Sequence, residues 1–554
     1  MYLERVEIYG FRGINRLSLA LNKNTVLIGE NSWGKSSLLD ALTLLLSPEQ
    51  ENYQFNQHDF HQSVGDDATR FRSLQIVLKF CENRKGRYRS FRFRNLTSVW
   101  VDNDDDLKHI YYRVSAELKG DGSISVDRSF LNAGGNKLSL DNVSKYIKEI
   151  IRLYPVVRLR DARFLRTLDF DSQVPGEQET GDIFNSRMKG LTQALVNNPH
   201  RLSDEELTEG VDAMQKLLSH YFAGQSSHMF KEHNVEGGRE PRKRGWHALD
   251  NISRIIAKPN QRNIRLIILG MFSSVLQSKG NVQLDKYARP LVIVEDPETR
   301  LHPIMLSIAW GLLNLFSLQR LTTTNSGELL SQVPIENLCR LVRDSGKVSS
   351  YRLRENDLSP EEIRKISFHI RFNRPSAMFA RCWLLVEGET EIWLMNELAR
   401  QCNFHFETEG IKVIEFAQSG LKPLLKFANQ MGIEWHTLVD GDEAGKKYAA
   451  TAMHYAEKMN DPERDRLTRL PALDIEHFLY REGFGHLFHQ IAGIPDNGKV
   501  ATRRVIIKAI SKTSKPDLAI AIANRAAELG PNSIPLHLKN MFSRVAWLAR
   551  GKAY

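Results

Sequence analysis

The stretch Gly29-Glu30-Asn31-Ser32-Trp33-Gly34-Lys35-Ser36-Ser37 fits the pattern G-x-x-x-x-G-K-[ST] of a phosphate-binding loop. The apolar run at 24–28 predicts a buried strand before the loop, and 36–42 predicts a helix after it. A polyphosphate needs several backbone N–H groups directed at it, and glycines let the chain wrap that closely. The sequence therefore predicts a nucleotide site.

The residue types within this loop have separate expected roles. Lys35 reaches the outer phosphates, the Ser36 hydroxyl ligates Mg²⁺, and the start of the helix adds partial positive charge. The predicted nucleotide-binding residues of the loop are Gly29, Asn31, Gly34, Lys35, Ser36 and Ser37. The expected cofactors at this site are ATP and one Mg²⁺ or Mn²⁺.

The composition is that of an ordinary globular chain long enough for several domains, with 554 residues, 42% hydrophobic and 26% charged. The net charge of +10 fits either an anionic partner such as nucleic acid or a solvated basic surface. The four cysteines are scattered, which argues against a disulfide framework or a structural zinc. No apolar run approaches the length of a membrane span, so we expect a cytoplasmic protein without a membrane partner.

A second ATPase motif follows at 291–298, where an apolar strand ends in Glu295 and Asp296. This is the Walker B arrangement, in which one acid holds Mg²⁺ and the next polarises the attacking water. The usual order is Asp then Glu, and the reversed order here leaves the two roles open. Glu295 is the candidate metal and nucleotide ligand, and Asp296 is the candidate catalytic acid.

These motifs, with Gly10-Phe11-Arg12 between two strands of period two, resemble ABC-type ATPases of the RecF, SMC and OLD (overcoming lysogenisation defect) group. Asn325 occupies the place of the switch histidine, and it can hydrogen-bond a γ-phosphate but cannot be protonated. No clean Ser-x-Gly signature is found near 263–270. The resemblance implies ATP binding, slow hydrolysis and a homodimer through the ATPase domain.

The region at about 85–260 carries no further ATPase motif, and helical patterns at 191–196 and 207–221 favour an inserted helical region with a role in dimerisation. Within 84–94, basic and aromatic side chains alternate. We interpret this run as an edge strand with solvated arginines; contact with a nucleic-acid backbone is the alternative.

A βαβαβ pattern begins near 381, with predicted strands at 382–386, 411–416 and 434–439. Glu387 follows the first of these strands, and Asp440-Gly441-Asp442 follows the third. Parallel sheets place their sites at the carboxyl ends of strands, so these acids are expected to lie together. Ligands that offer only oxygen favour Mg²⁺ or Mn²⁺. Capping of helices is the alternative role for these acids.

Glu387 with Asp440-x-Asp442 resembles the Toprim pattern, and an ABC ATPase followed by Toprim resembles the OLD-family endonucleases over most of the chain. The resemblance implies two divalent metal ions and a lysine at the nuclease site. The catalytic candidates are Glu387, Asp440, Asp442 and Lys515, and the metal candidates are Glu387, Glu391, Asp440, Asp442 and Glu476.

We therefore expect an α/β chain with an ABC-type P-loop ATPase domain at 1–365, a Toprim domain at 366–480 and a helical region at 481–554. The expected function is that of an ATP-binding, metal-dependent DNA endonuclease, with phage defence or DNA repair suggested by the family alone. One alternative is a RecF- or SMC-like DNA clamp with a scaffold Toprim domain, and another is a topoisomerase- or primase-like enzyme. DNA is the expected partner, together with an unidentified regulatory protein.

Overall fold

The structure is a computed structural model that describes residues 1–47, 53–62, 71–103, 106–159, 285, 287–299, 303–315, 318–344, 347–354 and 356–551. The chain divides into two compact units, one of Met1–Leu329 with Ser345–Ser350 and one of Leu330–Asp344 with Tyr351–Tyr554. The helical patterns at 191–196 and 207–221 and the signature position at 263–270 lie outside the described residues.

The first unit opens with an antiparallel sheet. Its strands and the others of this unit are β1 (Tyr2–Phe11), β2 (Ile14–Ala20), β3 (Asn24–Ile28), β4 (Ser73–Cys81), β5 (Val101–Asp102), β6 (Lys108–Leu118), β7 (Ile124–Leu131), β8 (Val156–Leu159), β9 (Leu291–Glu295) and β10 (Arg320–Thr323). The antiparallel sheet has the order β2-β1-β4-β6-β5, and β7 pairs with β6. Alternate residues of β1, such as Val6 and Ile8, are buried, as the period of two predicts.

The P-loop belongs to a parallel arrangement in which β3, β10, β9 and β8 are neighbours in that order. Helix α1 (Lys35–Leu46) follows β3 and buries its leucines. The other helices of this unit are α2 (Val143–Leu153) and α3 (Pro303–Leu315), and the next helix, α4 (Gly327–Gln332), includes the residues at which the first unit ends and the second begins. Because β3 and β9 are parallel, the P-loop and the Walker B acids lie at the same edge, which explains how residues far apart in sequence form one site.

The edge strand predicted at 84–94 is wrong, because this segment forms two 3-10 helices at Arg87–Arg89 and Phe91–Val99. Gly86 has a φ of 80° and starts the first of them. Phe93, Leu96 and Val99 are buried at intervals of three, which is the period of a 3-10 helix and not of a strand. The hairpin of β6 and β7, also within the predicted insertion, extends the antiparallel sheet.

The second unit contains a parallel sheet of order β14-β13-β15-β16. The strands of this unit are β11 (Leu338–Asp344), β13 (Cys382–Val386), β14 (Ile411–Glu415), β15 (Glu434–Val439) and β16 (Leu467–Arg469), whereas β12 (Lys347–Tyr351) falls almost wholly in the first unit. The helices are α5 (Pro360–Ile366), α6 (Glu389–Gln401), α7 (Leu421–Gln430), α8 (Glu443–Met459), α9 (Glu463–Arg466), α10 (Ile475–Leu479), α11 (Gly485–Ala492), α12 (Thr502–Thr513), α13 (Lys515–Leu529) and α14 (Leu536–Ala549). The predicted βαβαβ unit is present, with β16 as a fourth strand.

The core of the second unit joins the sheet to the C-terminal helices. Leu384 of β13, Phe488 of α11 and Phe542 of α14 belong to one buried cluster. On the same sheet, Trp383 and Trp435 are fully buried, and each indole N–H donates a hydrogen bond, at 2.9 Å and 2.8 Å respectively. Truncation of such a side chain to alanine costs roughly 3–5 kcal/mol, so this packing fixes the strands that carry the acids.

Candidate functional site

The P-loop glycines have backbone conformations that other residues rarely adopt. Gly29 has a φ of 145°, and Gly34, which precedes α1, has a φ of 90°. A Cβ atom on Gly34 would lie 2.9 Å from Ile14 Cγ1, so both the angle and the space require glycine. The exposed Ser36 and the half-buried Ser37 follow at the start of α1.

Lys35 is 4% exposed, and its ammonium group connects the loop to Asn325, which occupies the place of the switch histidine. Its Nζ donates to Gly29 O at 2.7 Å and to Asn325 Oδ1 at 2.6 Å. The Asn325 amide in turn donates to Asn31 Oδ1 at 3.1 Å. The structure therefore brings Asn325 to the P-loop. Burial lowers the pKa of Lys35, although the carboxylates of Asp296 and Glu298 oppose this effect.

The two Walker B acids have different surroundings. Both carboxylate oxygens of Glu295 accept hydrogen bonds from Arg158, each at 2.9 Å, and Arg158 also donates to Asp40 at 2.6 Å. Asp296 has a φ of 40°, and its Oδ1 accepts from Thr323 Oγ1 at 2.9 Å. The charge of Asp296 therefore opposes the lowering of the pKa of Lys35 by burial, whereas the carboxylate of Glu295 is paired with Arg158.

Two residues at this site were missed by sequence reasoning. Arg158 lies on β8 and is 7% exposed, and nothing in its local sequence indicates a partner 137 positions away. Glu298 accepts from Thr324 Oγ1 at 3.0 Å and from the Asn325 N–H at 2.6 Å. Its position two residues after the Walker B pair was the available signal. Glu298 therefore fixes the backbone that presents Asn325 to the loop.

In the second unit, Glu387 and Asp440 directly follow β13 and β15, which are adjacent parallel strands. The structure thus brings together the two acidic positions predicted from the sequence. Gly441 donates its N–H to Ala472 O at 2.9 Å, and a Cβ there would lie 2.3 Å from that oxygen. Only glycine fits between the two acids of the D-x-D motif, where the chain passes close to the segment that leads into α10.

The acids of this site raise one another's pKa values. Burial, together with the nearby carboxylates of Glu387, Glu391, Asp474 and Glu476, raises the pKa of Asp440 to about 8. Burial also raises the pKa of Glu387, with contributions from Asp442 and Glu391. Such repulsion is relieved when a cation binds, so the cluster has the electrostatics expected of a metal site.

Lys515 lies beside these acids, since its Nζ is 3.0 Å from Glu476 Oε1. Burial lowers the pKa of Lys515, but the carboxylates of Glu476, Glu391 and Asp474 together outweigh burial and the pKa is raised. Two of the acids also accept hydrogen bonds from backbone N–H groups at the starts of helices. Glu391 accepts from Gly388 at 2.8 Å, and Asp442 accepts from Gly445 at 2.6 Å. The capping role that was the alternative explanation is therefore real for these two acids, and each keeps a second carboxylate oxygen.

Asp474 is a further acid that sequence reasoning passed over, although it lies two residues before Glu476. Its carboxylate caps α10 by accepting the His477 N–H at 2.8 Å, and it contributes to the raised pKa of Asp440. Glu387 Oε2 is buried without a hydrogen-bond partner among the described residues. An orphaned carboxylate oxygen within a cluster of acids fits a hard divalent cation such as Mg²⁺ or Mn²⁺.

The two sites and their folds define an ABC-type P-loop ATPase joined to a Toprim domain, the architecture of the OLD family, which confirms the resemblance found in the sequence. The chain belongs to the family described as "Protein of unknown function (DUF2813)", which matches residues 1–377. A second family model, described as "Overcoming lysogenization defect protein-like, TOPRIM domain", matches residues 378–442.

Three relatives are similar to this chain. "Uncharacterized protein YbjD" of Escherichia coli (strain K12) is 54% identical over 553 residues, which cover 100% of both chains. "Endonuclease GajA" of Bacillus cereus (strain VD045) is 22% identical over 81% of this chain and 76% of its own length. "Old nuclease" of Escherichia phage P2 is 27% identical over 33% of this chain and 32% of its own. Among the described residues, no helix combines the length and the apolar character needed to cross a membrane.

Proposed function

We propose that this protein is an ATP-binding, divalent-metal-dependent DNA endonuclease whose Toprim site cleaves phosphodiester bonds under the control of the ABC-type ATPase. The observation that carries the proposal is the cluster of carboxylates around Asp440, with a lysine 3.0 Å from one of them. Two relatives named as nucleases support it. A scaffold Toprim domain would need no such concentration of mutually repelling acids, which disfavours the DNA-clamp alternative.

Each residue of the nuclease site has a proposed task. Glu387, Glu391, Asp440, Asp442 and Glu476 would hold the metal ions. Divalent cations bound there supply stabilisation of the attacking and leaving oxygens of a phosphodiester. Lys515, which retains its proton beside Glu476, can offset the negative charge that develops on the phosphorus centre. Basic side chains elsewhere would contact DNA phosphates.

In the ATPase half, we propose that the P-loop with Lys35, Ser36 and Ser37 holds ATP and one Mg²⁺ or Mn²⁺. Asp296 is the proposed catalytic acid because its carboxylate is close enough to Lys35 to oppose the lowering of the pKa of that lysine by burial. Glu295 remains the proposed metal ligand and would be positioned by Arg158. Asn325 can bond a γ-phosphate but cannot accept a proton. Because Asn325 cannot take up a proton, we expect slow ATP hydrolysis, which suits a regulatory role.

A nicking assay tests the proposal directly. Wild-type protein is incubated with supercoiled plasmid in Mg²⁺, in Mn²⁺ and in EDTA, with and without ATP. We expect relaxed or linear product with either metal and none in EDTA, and weaker DNA binding at higher salt because phosphate contacts release counterions. DNA binding without nicking in any metal would favour the clamp.

A pH dependence should follow from Asp440. Because the pKa of Asp440 is raised, its carboxyl keeps a proton that a metal ion must displace. Mn²⁺ affinity should therefore rise about tenfold per pH unit up to about pH 8 and then level off.

A raised pKa also means that the stability contribution of Asp440 is complete below about pH 4 and is lost as the pH rises through 8. The advantage in melting temperature of metal-free Asp440→Asn over wild type should therefore grow across that window, measured by calorimetry. A constant difference would contradict this.

We also propose that the ATPase domain forms a homodimer, because ABC-type heads complete each nucleotide site with a partner head. Light scattering of the full chain with and without ATP measures this. A dimer mass in at least one condition is expected, and the mass of a single chain at every concentration in both conditions would contradict it.

A further inference from the structure

A cavity of about 710 Å³ lies in the first unit, at the amino ends of three neighbouring parallel strands. Lys23, Arg289 and Gln319 line it, and they precede β3, β9 and β10 by one, two and one residues. The P-loop begins at the other end of β3, and five residues of strand span roughly 16 Å. The cavity is therefore separate from the proposed ATP site.

The floor of this cavity is built from satisfied polar groups. The Gln319 side chain is largely buried, accepts the Leu3 N–H at 2.9 Å and donates to Leu3 O at 2.7 Å and to Asn22 O at 3.1 Å. The buried Tyr154 hydroxyl donates to the same glutamine. These bonds fix the floor, so the cavity is a formed feature of the fold.

Three guanidinium groups line the walls, those of Arg87, Arg92 and Arg289. None of them forms an ion pair with a carboxylate among the described residues. Arg92 donates through Nη2 to Leu153 O at 3.1 Å, and its Nε is buried without a hydrogen-bond partner among those residues. Among the described residues, the Arg289 guanidinium donates to the carbonyl of the preceding residue, Ala288, at 3.1 Å.

The nearby acids are engaged elsewhere. Glu4 also lines the cavity, but its carboxylate is 3.0 Å from Lys79 Nζ. Asp285 pairs with Arg152 at 2.6 Å. Glu82 accepts two backbone N–H groups, each at 3.0 Å. None of these three carboxylates therefore forms an ion pair with Arg87, Arg92 or Arg289.

The arginines destabilise one another's charged forms. Burial, together with the charges of Arg289 and Arg87, lowers the pKa of Arg92 to about 10. Burial and the charge of Arg87 likewise lower the pKa of Arg289. A bound anion would reverse this effect, because buried charges are stable when they are paired and hydrogen-bonded.

We propose that this basic cavity, lined by Lys23, Arg87, Arg92 and Arg289, binds a small polyphosphate anion of the class that includes nucleoside triphosphates. Ligand sites commonly have volumes of about 300–1,000 Å³, and guanidinium groups bind phosphate through paired hydrogen bonds. The buried Phe93 adds an apolar wall. The site would let the protein respond to a nucleotide that is not bound at the P-loop.

The test uses the full chain with Lys35→Ala, which weakens the P-loop site, and measures binding of ATP and of inorganic tripolyphosphate by calorimetry. We expect both anions to bind the Lys35→Ala protein. Their affinity should fall at least about tenfold when Arg92→Gln is added, which is the loss typical of a charge-assisted hydrogen bond. Arg87→Gln, on the exposed rim where folding is not at risk, should weaken it as well. Arg84→Gln removes a charge from the same segment outside the lining and should leave binding unchanged.

Three outcomes would overturn the proposal. The first is that neither ATP nor tripolyphosphate binds in the Lys35→Ala protein. The second is that Arg84→Gln weakens binding as much as Arg87→Gln and Arg92→Gln do. The third is that a 5′-phosphorylated trinucleotide binds while the two small anions do not, which would assign the cavity to the end of a nucleic acid. Because no step requires cleavage, failure here is distinguishable from failure of the endonuclease proposal.

Discussion

Asp440→Asn is expected to abolish metal-supported nicking of supercoiled plasmid, with a loss of at least about a thousandfold, while the second unit stays folded. The magnitude follows because Asp440 would help to hold the divalent cations that stabilise the attacking and the leaving oxygen. The substitution keeps the shape of the side chain and removes its charge. The measurement is the initial rate of relaxed-circle formation in Mg²⁺ and in Mn²⁺.

The fold should tolerate this change because the carboxylate of Asp440 is already disfavoured. Its pKa is raised to about 8 by burial and by four neighbouring acids, so the neutral amide relieves repulsion. Melting temperature in EDTA should therefore be equal to or above that of wild type. A large fall in melting temperature would mean that the acid stabilises the fold, and the loss of nicking would then have a different cause.

Glu443→Gln is the matched control for Asp440→Asn. Glu443 lies three residues further on, at the start of α8, and its side chain is 84% exposed in a surface pair with Lys446. Such pairs contribute little, so nicking should be unchanged. Equal nicking by wild type and Asp440→Asn, or nicking that survives EDTA, would place the activity outside this site.

The positions of the acids could be predicted because they depend on one local rule. Glu387 and Asp440 end apolar strands, and parallel strands bring their carboxyl ends to one edge. Glu476 and Lys515 came only from the resemblance, since no local pattern relates residues on α10 and α13. The structure places them 3.0 Å apart. Asp474 was passed over because a helix cap and a site acid have the same appearance in sequence.

What the sequence could not supply are contacts across long separations and the effects of burial. Arg158 on β8 holds Glu295 and Asp40, and no periodicity links these three positions. The segment after β4 was misinterpreted because its arginines obscured the apolar residues at intervals of three that favour a 3-10 helix. The same misinterpretation hid the basic cavity, since Arg87 and Arg92 line it only in the observed conformation.

Lys35→Ala is expected to weaken ATP affinity about ten- to a hundredfold, the loss typical of a hydrogen bond to a charged group. Lys35 points its ammonium at the carbonyl of Gly29 and the amide oxygen of Asn325, within the loop where phosphates would bind. Calorimetric titration with a non-hydrolysable ATP analogue, in proteins that also carry Arg92→Gln to weaken the basic cavity, measures the change. Lys145→Ala, an exposed lysine on α2, is the control and should bind as wild type does. If Lys35→Ala retains wild-type affinity, ATP is not held by the P-loop and the nucleotide assignment fails.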